Sequence, residues 1–156
     1  MNAPFPFIKS VPSEWVDYNG HMNDAEYNRA FSQATDAFID YIGLHEEART
    51  AWKYTVFTLE THTCYLQEMK EGAQFEIVPQ ILDYDAKRMH LFLSMKNQAG
   101  EVVATLEEML MGIDQNEGRG APFPELVAAA IAEIYQNDSA YEAPDQAGRT
   151  IGIRRK

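Results

Sequence analysis

The chain has 156 residues, 46% of them hydrophobic and 24% charged, and a net charge of −11 at pH 7. That length suits one domain with a sizeable core, and the acidity argues against nucleic acid and against an anionic membrane surface, both of which call for a basic footprint. The single cysteine, Cys64, rules out an internal disulfide, and residues 1–10 lack the apolar run of a signal peptide, so a cytoplasmic home is expected.

In chain order, residues 5–11 mix apolar side chains with proline, which suits a short edge strand. Asp17 opens a turn-rich stretch that ends at Asn23. From there Tyr27, Ala30, Phe31, Ala34, Phe38, Tyr41 and Ile42 recur at three- and four-residue spacing, predicting a helix over residues 24–42. Asn23 reads as its N-cap, Glu26 as the returning arm of a capping box, and Gly43 as the C′ glycine. Residues 45–50 read as a helical turn or loop. Residues 54–66 form a β-branched and aromatic run that reads as one long strand. Alternating segments at 75–81, 89–95 and 103–113 supply three more, with residues 85–87 and 97–100 as hairpin connections. Pro122 and Pro124 introduce a second helix over 125–136, and residues 137–156 form an extended tail docked through Ile151 and Ile153. The prediction is one α+β domain spanning 1–156, with about five antiparallel strands curled around a long helix in residues 5–114. The longest apolar run, residues 126–132, is well short of the roughly 20 needed to cross a bilayer.

Several chemistries have no motif here. Gly-x-Ser-x-Gly, His-Glu-x-x-His and Gly-x-Gly-x-x-Gly are absent, and one cysteine cannot build a zinc cluster, so neither metal nor cofactor is expected. Cys64 reads as a small core residue, and its pairing with His62 lacks a group to orient the base. The concentrated signal is residues 15–24, Trp-Val-Asp-Tyr-Asn-Gly-His-Met-Asn-Asp. A carboxylate and a glycine turn sit before a long helix, whose first-turn N–H groups and positive dipole end can stabilise an oxyanion. Asp17, four residues before His21, can act there as nucleophile or as base for a water. On chemistry alone, the pair reads equally well as a turn cap and an ordinary polar residue.

Asp17, Gly20, His21, Met22, Asn23, Asp24 and Tyr27 resemble the Asp-x-x-Gly-His-Val-Asn-Asn-x-x-Tyr segment of hotdog acyl-CoA thioesterases of the 4-hydroxybenzoyl-CoA type. The resemblance implies the hotdog fold, with Asp17 as nucleophile or base, His21 in the same pocket, and backbone amides at Asn23 and Asp24 holding the thioester oxygen. Met22 and Asp24 depart from the usual Val and Asn. Residues 14–23, 34–38 and 147–153 also resemble the betainyl-CoA thioesterases, which serve carnitine breakdown and occur fused to carnitine dehydrogenase. That implies a trimethylammonium acyl group, which aromatic faces and carboxylates suit. Trp15, Tyr18, Trp52, Tyr54 and Tyr65 are candidate walls, with Asn19 and Tyr27 beside them. CoA is anionic, so Lys70, Lys87, Arg88, Arg149 and the run Arg154, Arg155 and Lys156 are candidate phosphate contacts. Other readings are a thioesterase for another short or aromatic acyl group, an acyl-CoA hydratase or dehydratase, and a non-enzymatic acyl-CoA-binding module. Open sheet edges and the family's habit imply a homodimer or dimer of dimers, with the partner's long strand completing the pocket.

Overall fold

The computed structural model describes Phe5 and residues 7–155. The helical period is realised as α1, Asp24–Tyr41, whose buried face comprises Tyr27, Ala30, Phe31, Ala34, Thr35, Phe38 and Ile39. Asn23 caps it by accepting from the Ala25 N–H at 3.0 Å. The capping box does not form. The Asn23 N–H is already given to Trp15 O at 2.9 Å, and the Glu26 carboxylate turns instead to Arg29 at 2.8 Å. At the other end Gly43 takes φ 107°, a left-handed conformation that costs glycine nothing, and Leu44 N–H closes back on Ile39 O at 3.0 Å. A second short helix, α2 (Glu46–Trp52), is capped by His45, whose Nδ1 accepts from the Ala48 N–H.

The strands are β1 (Phe7–Ser10), β2 (Tyr54–Tyr65), β3 (Gln74–Tyr84), β4 (Arg88–Asn97) and β5 (Val102–Asp114), with α3 at Glu125–Asp138. All pair antiparallel in the order β1-β3-β4-β5-β2. The sequence pattern leaves out a two-residue strand, β6 (Arg119–Gly120), which extends β5's pairing to make a sixth. Of the expected first strand, Phe5 lies outside β1 and residue 6 falls outside the described residues. β2 is the outermost strand at its end of the sheet, so one side of its backbone is unpaired among the described residues. It also carries Phe57 and Leu59, about half exposed. Cys64 is half-buried on this strand rather than in the core.

Alternation along the strands splits the sheet into two faces. Met89, Leu91, Leu93 and Met95 of β4, with Leu106 and Leu110 of β5, bury against α1 in one core cluster. This is the curled sheet around a long helix that the hotdog resemblance implies. Among the described residues no helix is long and apolar enough to cross a membrane.

One polar group enters this core. Glu108, on the helix-facing side of β5, accepts a 2.6 Å hydrogen bond from the Thr35 hydroxyl of α1 and is 4% exposed. Burial, opposed by that hydrogen bond, pushes its carboxyl up from the usual 4.5 to about 7. Because the folded value lies above the unfolded one, the protonated form stabilises the fold below about pH 4.5, and that contribution is lost as pH rises toward 7. Glu108→Gln keeps a partner for Thr35 and cannot ionise. It is expected to unfold at higher urea than the parent at pH 8, by up to about 3 kcal/mol, with the difference much smaller at pH 4.5. Urea melts at the two pH values check this.

Candidate functional site

Asp17 sits on a tight turn clamped by its own flanks. Val16 and Met22 pair as an isolated antiparallel bridge, Asp17 N–H donates to His21 O at 2.9 Å, and Gly20 N–H returns to Asp17 O at 3.0 Å. Gly20 closes the turn at φ 81°, where a side chain would be strained. The Asp17 Oδ1 accepts from the Asn19 N–H at 2.8 Å, which fixes the carboxylate and leaves Oδ2 without a partner among the described residues. Asp17 is half-buried and faces an open hollow of about 410 Å³ shared with His21, Met22, Asp24, Tyr27, Tyr65 and residues 66–68.

The start of α1 forms the opposite wall. Most donors at and just before its first turn are spent: Met22 N–H on Met69 O, Asn23 N–H on Trp15 O, Ala25 N–H on the Asn23 side chain, and Glu26 N–H on Asn23 O. Among the described residues only the Asp24 N–H remains free, so Asn23 is a structural cap and the oxyanion donor on this chain reduces to one amide. The helix start is also tied to the end of β2. Asn28 donates to the Tyr65 hydroxyl at 2.8 Å and accepts from Thr63 at 2.7 Å, and the Tyr65 hydroxyl donates to Asp24 O at 3.3 Å. Tyr27 packs edge-on to Tyr65 and donates to Gln67 O, and burial raises its phenol pKa.

The His21 ring does not bond the Asp17 carboxylate. Its Nδ1 lies 3.0 Å from the Glu68 carboxylate, and its backbone bridges to Lys70. Glu68, Asn28 and Thr63 are the site residues that the sequence reading missed. Asn28 carries a usable signal, since it lies one helical turn after Asp24 and shares its face. Glu68 carries none, because it reaches the site only through the fold.

The remaining candidates divide by position. Trp15 is 6% exposed and has the Lys9 ammonium 4.8 Å from its ring centroid, so its cation-binding face is already taken. Tyr18 is 97% exposed and Asn19 is exposed beside it on the turn. Tyr54 is buried, with its hydroxyl given to Ala121 O at 2.8 Å, and burial raises its pKa. Trp52 is exposed just before Tyr54. Those two stand at the far end of a strand of 12 residues, roughly 35 Å from Tyr65. Lys87 and Arg88 belong to that far end too, since Arg88 pairs with Met111 and Met111 with Phe57. Arg88 is held by Asp85, whose carboxyl this contact lowers to about 2. Arg149 lies on the sheet's outer face, lining a second cavity of about 270 Å³ with Glu60, His62, His90 and Glu107. Within one chain, therefore, Trp52, Tyr54, Lys87, Arg88 and Arg149 do not meet Asp17. Among the described residues no cluster of His, Cys, Asp and Glu forms a metal site.

The chain is similar to known proteins along most of its length. A model of the thioesterase-like superfamily matches residues 11–131. The betainyl-CoA thioesterase of Pseudomonas aeruginosa is 40% identical over 92% of this chain and 91% of its own length. The L-carnitine dehydrogenase/betainyl-CoA thioesterase of Rhizobium meliloti is 36% identical over 93% of this chain, which spans 29% of that longer protein. A hypothetical protein from Staphylococcus aureus, solved in complex with CoA, superposes with a TM-score of 0.94 at 41% identity, covering 97% of this chain and 96% of that one.

Proposed function

The chain belongs to the thioesterase-like superfamily, and from that premise we propose that it hydrolyses an acyl-CoA thioester, betainyl-CoA, to glycine betaine and CoA. One observation carries the reading: a fixed carboxylate with a free oxygen, Asp17, and the one unspent first-turn amide of α1, at Asp24, line the same hollow. The carboxylate attacks the thioester carbon, or takes a proton from a water that does. In either route negative charge gathers on the carbonyl oxygen, where the Asp24 N–H and the helix dipole are placed to receive it. His21, anchored through Nδ1 to Glu68, leaves Nε2 as a proton carrier for the departing thiolate.

The acyl group follows from the charge of the hollow. Asp17, Asp24 and Glu68 are three carboxylates around one opening, with the half-exposed Tyr65 ring beside them. That lining repels an anionic acyl group and favours a quaternary ammonium. The identity to the Pseudomonas enzyme across nearly its whole length supports the same assignment.

The site is completed by a homodimer joined along β2, the longer of the two edge strands. Antiparallel pairing of β2 with itself brings the Tyr54 end of one copy beside the Tyr65 end of the other. Trp52, Lys87 and Arg88 then reach the hollow from the second copy, and Lys70 from the chain itself, as contacts for the CoA phosphates. With one thiol and no disulfide, the enzyme suits a cytosolic setting.

Thiol release from a CoA panel (betainyl, acetyl, isovaleryl, benzoyl and crotonyl) tests the reading. Betainyl-CoA is expected to give the highest kcat/KM. Hydration of crotonyl-CoA without thiol release would replace hydrolysis by hydratase chemistry, and inertness toward the whole panel would leave a binding module.

A further inference from the structure

The segment after α3 follows a directed path over the sheet. Asp138 Oδ2 accepts the Ile81 N–H at the side of β3 at 2.8 Å, and Gln80 of β3 donates to Glu142 O. Gly148 N–H then reaches Glu107 of β5 at 2.8 Å, beside His90 of β4, and Arg149 lines one cavity with Glu60 and His62 of β2. The chain thus crosses the outer face as a strap, over β3, β4, β5 and β2 in turn. Phe92 and Thr105, which point to that face, are 1% exposed, as covered positions require.

Beyond Arg149 the strap has nothing left to lie on, because β2 is the edge. Residues 150–155 are all exposed, Ile151 at 88% and Ile153 at 79%, and among the described residues their only hydrogen bonds are Arg154 to Thr150 O and Gly152 O. The expectation that the two isoleucines anchor the tail on its own domain is therefore not met. Two apolar side chains separated by one glycine and left in water call for a partner surface.

We propose that residues 150–155 are the exchanged arm of this strap: they pass the β2 edge and lie on the outer sheet face of a second copy of the chain. This rests on the pairing through β2 proposed above, which makes the two outer faces continuous. Six extended residues reach roughly 20 Å, about four strand spacings, enough to cross the second copy's β2 and β5. Charge fits the same occupant. Residues 149–156 hold four basic residues and no acidic one, so all 24 acidic residues lie earlier in the chain. Glu60, exposed on the β2 outer face, is the first carboxylate an arriving arginine meets.

Two measurements on the full chain test it. Sedimentation equilibrium should show the Ile151→Asp/Ile153→Asp double variant with its dimer Kd raised at least tenfold. A benzophenone placed on Ile153→Cys, with Cys64→Ser removing the native thiol, should photocrosslink to a product of doubled mass. An unchanged dimer Kd overturns the exchanged arm, and so does crosslinking confined to one chain. A wild-type monomer overturns the exchanged arm together with the β2 pairing. Wild-type thiol release, read on the same samples, judges the hydrolase reading separately.

Discussion

Asp17→Asn is expected to fold like the parent and to lose at least about a hundredfold in kcat with betainyl-CoA, the low end for removing a positioned base. The turn survives because an asparagine Oδ1 still accepts the Asn19 N–H, and the backbone bonds from Asp17 to His21 and Gly20 do not involve the side chain. What disappears is the charge on the free oxygen. KM should change less than kcat, since Asp24 and Glu68 still attract the cation when the Asp17 charge is gone. Thiol-release kinetics give the rate, and thermal melts show that the fold is kept. Turnover within a few-fold of the parent would remove Asp17 from the chemistry. Wild-type enzyme taken through one turnover in ¹⁸O-water separates the two routes: a nucleophilic Asp17 forms an anhydride, and water opening it at the Asp17 carbonyl leaves the label on Asp17 and an unlabelled acid, whereas a base-activated water puts the label in the acid and none on Asp17.

How much of this was legible in the sequence depends on how local its cause is. α1 was legible because its period, its Asn23 cap and its Gly43 terminator all act within a few residues. The capping box failed for a non-local reason. Trp15 belongs to a short turn of helix at 13–15, and its carbonyl claims the Asn23 N–H that Glu26 would have taken. The same contact spends one of the two amides that the family resemblance assigns to the oxyanion. Trp15 itself sits next to Val16 and Asp17 in sequence yet packs inward under Lys9, a choice made by the Val16–Met22 bridge and by a lysine from β1. Tyr54 and Tyr65 looked equivalent as aromatic ends of one strand. The strand's length, which places them on opposite sides of the domain, decides that only Tyr65 faces Asp17 in its own chain.

The neutral carbon isostere, 3,3-dimethylbutanoyl-CoA, is expected to be a poorer substrate than betainyl-CoA by a factor of ten or more in kcat/KM. The two acyl groups share shape and bulk, so the comparison isolates the charge. One aromatic face contributes about 0.5–2 kcal/mol to a bound cation, and Tyr65 offers such a face while the Tyr27 ring, 4% exposed, supports it edge-on. Asp24 and Glu68 add Coulomb attraction, weakened because the hollow is open to solvent. At about 1.4 kcal/mol per decade, one face and one partly screened carboxylate suffice for tenfold. Two consequences separate this from shape selection. The preference should shrink as ionic strength rises, because exposed charges are screened within about 10 Å at 0.1 M salt. Tyr65→Leu should lower kcat/KM for betainyl-CoA more than for the isostere, since the leucine keeps bulk and loses the π face. Equal turnover of both substrates at low salt would show that the hollow reads size alone, leaving Asp17 a thioester hydrolase whose acyl group is chosen by something other than charge.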